Sequence, residues 1–178
     1  MIQRVGGYLC PEAKSHTWLQ VVLKLTLSKI GVGRTETMND KEIEEILQTC
    51  LKEEMEIYEY PTDEEWKRLE ESLDCKFCNE FKIFINLMSK YMFPGDIFNV
   101  KNENNNGNDT IIDVYKHECQ YQEWDANMIP FYGIGNGDYF CLRKKDMKVY
   151  YFYEDRLEFG FYKETFVEWV LDLPDFLE

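Results

Sequence analysis

Apolar residues fall at helical spacing in three stretches before Pro94-Gly95 and in short alternating or clustered runs after it, with a last helical stretch at the end of the chain. Asn39 and Glu42 form a helix start, an N-cap followed three positions later by an acid, and Ile43, Ile46, Leu47 and Leu51 make one apolar face behind it. Thr62 and Glu65 repeat the start, with Trp66, Leu69 and Leu73 on the buried side. A third helix is expected around Asn79, where Phe81, Phe84, Ile85 and Met88 follow helical spacing. Beyond Pro94-Gly95 the spacing predicts strands over Ile97 to Val100 and Ile111 to Tyr115, joined by the polar loop Asn102 to Asp109. Further strands are expected over Ile129 to Ile134, Tyr139 to Arg143, Val149 to Tyr153 and Leu157 to Phe161, with turns at Asn136-Gly137 and Lys145-Asp146. Thr165 and Glu168 start a last helix carrying Phe166, Trp169, Val170 and Leu173, and Pro174 is expected to end it.

This order, helices, then a meander of antiparallel strands, then one closing helix, is that of an α+β fold and not of a parallel sheet. Residues 39–178 read as one domain. Residues 1–38 differ: Leu19, Val21, Leu23, Leu25 and Leu27 recur at every second position, and Gly31 and Gly33 break the pattern. They form an extension with three readings left open: an added strand, a family-specific arm, or translated sequence upstream of Met38.

Composition narrows the function. Hydrophobic residues make up 44% of the 178 and aromatic ones 16%, enough for a core without cross-links. The formal net charge is −14, and from residue 39 onward 15 Lys or Arg stand against 32 acids. Such a surface repels nucleic acid and anionic membrane and attracts a basic protein. The apolar run Trp18 to Leu23 is short and broken by Lys24, so neither an export signal nor a membrane span is read here. The six cysteines are therefore expected as free thiols in a reducing cytoplasm, most of them small buried hydrophobes.

The motifs that carry chemistry in other proteins are weak here. Gly133-Ile-Gly-Asn-Gly137 lies between two strand-like runs, with an acid following, whereas a phosphate loop needs a strand-to-helix turn. Gly135, Gly137 and Asp138 are accordingly read as a structural turn. Cys75 and Cys78 form a CxxC, and zinc would need His117 and Cys119 as the other two ligands, an unusual pair. His117, in Lys116-His117-Glu118, reads as a solvated loop residue. No cofactor, metal site or catalytic group is expected. Acids interleaved with aromatics from Tyr150 to Tyr162 stand out instead.

The stretch Thr62 to Leu73, then Phe77 and Asn79-Glu80-Phe81-Lys82-Ile83-Phe84-Ile85, resembles the opening of the SUKH superfamily, an acidic helix followed by a Glu-Phe-Lys-x-Phe-Leu helix. Ile129-Pro130-Phe131, Gly137-Asp138, Phe140-Cys141-Leu142, Val149-Tyr150-Tyr151-Phe152 and Thr165 to Val170 resemble its later strands and C-terminal helix, in the same order. Asp74 stands where that family usually has glycine and Cys78 where it has proline. The resemblance implies a bent antiparallel sheet flanked by helices, with N-terminal helices and one C-terminal helix. It also implies a non-enzymatic binding protein, in many members an immunity protein that blocks a toxin domain, often a nuclease. The expected partner is thus a basic toxin domain, and the expected contacts are Tyr153, Glu154, Asp155, Glu158 and Tyr162. A regulatory scaffold of the cell-wall-regulator type is the alternative. A small hydrolase or nucleotide binder is a third, and would need a pocket around Gly133 to Asp138.

Overall fold

A computed structural model describes residues 37–53, 59–101 and 110–177. In chain order the elements are α1 (Asp40–Cys50), β1 (Lys52–Glu53), α2 (Asp63–Leu73), α3 (Asn79–Leu87) with a 3₁₀ turn Met88–Lys90, β2 (Tyr91–Met92) and β3 (Asp96–Ile97). They continue with α4 (Ile111–Glu118), β4 (Met128–Gly133), β5 (Tyr139–Arg143), β6 (Val149–Tyr153), β7 (Glu158–Lys163) and α5 (Phe166–Phe176). β1 pairs with β2, and the other strands form one antiparallel sheet in the order β3-β4-β5-β6-β7. The fold is α+β, as expected. Of the extension over residues 1–38, all but Thr37 and Met38 lies outside the described residues, and Met38 is buried in the core.

The first two helices start as their sequences predict. Asn39 Oδ1 accepts the Glu42 amide at 3.1 Å while the Glu42 carboxylate accepts the Asn39 amide at 2.9 Å. Thr62 and Glu65 repeat this at 3.2 and 2.7 Å. The third start is half formed: Thr165 Oγ1 accepts the Glu168 amide at 3.1 Å, but the Glu168 carboxylate takes the Glu164 amide instead of the Thr165 amide, at 3.0 Å. α5 also runs on through Pro174 to Phe176, contrary to expectation. The proline's missing donor falls in the last turn, where a single bond is lost, and the Leu177 amide still reaches the Leu173 carbonyl at 2.9 Å.

The larger correction concerns Ile111 to Tyr115, which is helical and not a strand. Thr110 caps it, its Oγ1 accepting the Asp113 amide at 3.2 Å and donating to the Asp113 carboxylate at 2.5 Å. A two-isoleucine start with a nearby valine looks β-branched and strand-like, yet Ile111 and Val114 are three apart and bury one face of a helix. The expected partner strand, Ile97 to Val100, shortens to Asp96–Ile97 with a single bridge from Asn99 to Thr110. α4 therefore breaks the simple order of helices before strands.

The core lies between one sheet face and helices α1, α3 and α5. Phe81, Phe84, Phe131, Phe140 and Trp169 are each at most 1% exposed and pack largely edge to face. The reverse face is closed near the β4–β5–β6 end by Trp124, whose ring meets Phe152 and Phe159, each at 5.0 Å, and whose Nε1 donates to the Met128 carbonyl. Strand pairing shifts register between Pro130 and Tyr132 and again between Val149 and Tyr150, irregularities that bend strands locally.

Glu70 ties the α2–α3 connection. Its buried carboxylate accepts Lys76 at 2.7 Å, Lys82 at 2.8 Å and the Phe77 amide at 3.2 Å. Burial alone would raise its pKa, but these donors outweigh it and hold the group below the usual carboxylate range. The turn into that connection passes through Asp74, the C-cap of α2, at φ 51° and ψ 50°. This left-handed conformation favours glycine, the residue the resemblance led one to expect. Asp74→Gly should therefore raise unfolding stability by about 0.5–1 kcal/mol, read as a higher urea midpoint at unchanged slope.

Candidate functional site

Two turns at one end of the sheet carry most of the residues singled out from the sequence. In an antiparallel meander the β4–β5 and β6–β7 connections leave from the same end, and here they touch. Asp138 joins them: its carboxylate accepts the Glu154 amide at 2.9 Å, the Tyr151 hydroxyl at 2.8 Å and the Asn136 side-chain amide at 3.0 Å. Burial pushes the Asp138 pKa up, but these three donors and the nearby Arg156 more than reverse that, so the group is held below its ordinary value. Gly135 and Gly137 sit at φ 91° and 92°, the left-handed region that the turn requires. A Cβ at Gly137 would lie 2.8 Å from Glu154 Cγ, so the turns are in close contact as well as hydrogen-bonded.

The β6–β7 turn presents the expected acids to solvent. Tyr153 and Glu158 are a cross-strand pair, with Glu154, Asp155, Arg156 and Leu157 between them. Arg156 partly offsets the acids, lying 3.5 Å from Asp155 and 3.2 Å from Glu158 while its guanidinium covers the Tyr153 ring at 3.9 Å. Tyr153 in turn fills the space above Gly160. Glu154 has no Lys or Arg partner among the described residues. A groove of about 500 Å³ runs between the two turns, lined by Asn136, Asp138, Tyr153, Glu154, Asp155 and Arg156.

Tyr162 is not brought to this cluster. It lies toward the far end of β7, where its hydroxyl donates to Asp172 on α5 beside Lys163, which reaches the same carboxylate at 2.8 Å. Its ring packs on Phe140 at 5.0 Å.

A second cleft, of about 340 Å³, opens on the other side of the β4–β5 turn against α4 and β3. The pocket that a ligand-binding reading needs around Gly133 to Asp138 is thus present. Its lining, however, carries Asp96, Glu118 and Asp138 against the single His117, a field that repels phosphate. The turn also joins two strands, without the helix N-terminus that a phosphate loop supplies. Sequence reasoning missed Asp96, Glu118 and Tyr139 as neighbours because their elements meet only in three dimensions. His117, read as a loop residue, lies on α4 and is exposed, its ring against Tyr121.

The thiols stay protonated where burial is felt. Cys50 and Cys75 are each pushed up to about 11 by burial, and Cys78 is raised for the same reason. Five unpaired cysteines occur among the described residues, and no group of three or more His, Cys, Asp or Glu there is placed to hold a metal ion.

Residues 41–175, most of the chain, match the family described as SUKH_5, SMI1-KNR4 cell-wall. The chain belongs to this family. No curated protein matches it. As a SUKH protein it carries the expected α+β fold, and the Gly-Asp turn that helped to reveal the resemblance is the element locking two hairpins together. None of the helices among its described residues is long and apolar enough to cross a membrane.

The two turn glycines should differ on substitution. Gly137→Ala combines a positive φ with a clash on Glu154 and should cost about 2–3 kcal/mol. Gly135→Ala meets no atom within 4 Å and should cost only the backbone strain, about 1 kcal/mol. Paired chemical-denaturation curves read the difference.

Proposed function

We propose that this SUKH protein is a cytoplasmic immunity protein, which binds a basic toxin domain and blocks its active site without catalysing a reaction. The observation that carries the reading is the family match over residues 41–175. Charge supports it: the net −14 favours rapid capture of a basic partner, such as a nuclease whose substrate groove is cationic. Shape supports it too, since the β6–β7 turn offers Glu154, Asp155 and Glu158 around a tyrosine packed over Gly160 and covered by the Arg156 guanidinium. Such a preorganised aromatic loses little entropy on docking.

The family's cell-wall description favours a second reading, a regulatory scaffold that recognises a nontoxic protein through the same surface.

Affinity capture from the native cell separates the two. A basic partner, lethal when expressed alone and harmless when co-expressed with this chain, supports immunity; a nontoxic regulatory protein supports the scaffold. The Glu154→Lys, Asp155→Lys double variant should weaken binding roughly 10–100-fold, mostly through slower and less salt-sensitive association, with an unchanged melting temperature. Unaltered affinity would remove this turn as the contact surface.

A further inference from the structure

The cleft between the β4–β5 turn and α4 has an unusual lining for its size. Apolar walls come from Phe98, Val114 and the Tyr139 ring, and the glycine backbone of the turn forms one side. Gly133 sits close under those rings: a Cβ there would meet Phe98 at 3.1 Å and Tyr139 at 3.4 Å. His117 of α4 lines the cleft as well, and so do carboxylates from three separate elements, Asp96 of β3, Glu118 of α4 and Asp138 of the turn, the last already accepting Asn136, Tyr151 and Glu154. None of the three is ion-paired with a Lys or Arg among the described residues, although eleven such pairs are formed elsewhere in them. Among the described residues the Glu118 carboxylate accepts the Tyr139 hydroxyl alone, through Oε1 at 3.0 Å, which leaves its second oxygen without a donor there.

We propose that this cleft takes an arginine side chain of the partner protein, seated with its methylenes along Phe98 and Tyr139 and its guanidinium between Glu118 and Asp96. This rests on reading the chain as a binder of a basic protein. An apolar slot with a charged rim matches a long stem that carries charge only at its tip. A planar head with five fork-arranged donors serves carboxylates arriving from different directions, and it stacks on aromatic faces, where an ammonium offers three donors from a single point. An anionic ligand is repelled by the same rim.

The test uses the full chain labelled with ¹⁵N and titrated with N-acetyl-arginine amide, with the lysine and the uncharged citrulline analogues alongside. The arginine probe should shift the amides of Gly133, Gly135 and Gly137 in a saturable way. Lysine should bind more weakly and citrulline should leave the amides unmoved. Glu118→Gln keeps an acceptor for the Tyr139 hydroxyl and so preserves the fold, which the remaining amide signals verify; with Asp96→Asn it should weaken binding about tenfold. Shifts that ignore these substitutions, citrulline binding as well as arginine, lysine matching arginine, or no shift at all would each overturn the proposal. The immunity reading is tested separately by toxin rescue. Rescue that persists with Glu118→Gln and Asp96→Asn sinks the cleft alone, whereas a saturable arginine site in a chain that rescues no toxin sinks the immunity reading alone.

Discussion

Trp169 is the contact on which the arrangement depends. Its fully buried indole meets Phe84 of α3 at 5.3 Å, Phe131 of β4 at 4.9 Å and Phe140 of β5 at 5.6 Å, so one side chain fixes the closing helix against a second helix and two central strands. Edge-to-face pairs of this kind contribute about 0.5–1.5 kcal/mol each beyond the area they bury, and they also impose direction. With α5 held, β7 is anchored behind it through Tyr162, Lys163 and Asp172. β6 and β7 then share a hairpin whose far end is free to project.

Rigidity of that projecting end comes from polar contacts. Asp138 accepts one donor from each turn, Asn136 and Glu154, and a third from Tyr151 of β6, and Gly137 lets the chains approach closely enough for it to do so. The acids beyond it can therefore be varied at the surface while Asp138 cannot. This separates two roles for carboxylates that look alike in sequence: one inside the joint, held ionised by its donors, and several outside it, exposed to solvent.

Much of this was legible before any coordinates. The caps at Asn39 and Thr62, the core faces of three helices and the strands Tyr139 to Arg143 and Val149 to Tyr153 follow from local spacing, where one period dominates. The Ile111 segment was misread because two adjacent isoleucines suggest a strand more strongly than a threonine cap suggests a helix, and eight residues give few turns in which the helical period can show. Pro174 was misread because its cost depends on position within the final turn. At the site, the contiguous acids and Tyr153 were visible as a run. The Asp138 bridge and the cleft beside α4 were not, since they join residues from positions 96 to 154 that no spacing connects.

The meander has a consequence for how such a protein can change allegiance. Successive connections of an antiparallel sheet alternate between its two ends, so the β4–β5 and β6–β7 turns share one end while the β5–β6 turn, with Arg143, Lys144 and Lys145, occupies the other. The aromatic layer beneath is indifferent to what the turns carry. The β5–β6 turn can therefore be rewritten alone, whereas the two turns that Asp138 and Gly137 join must change together, like paired blades on one pivot.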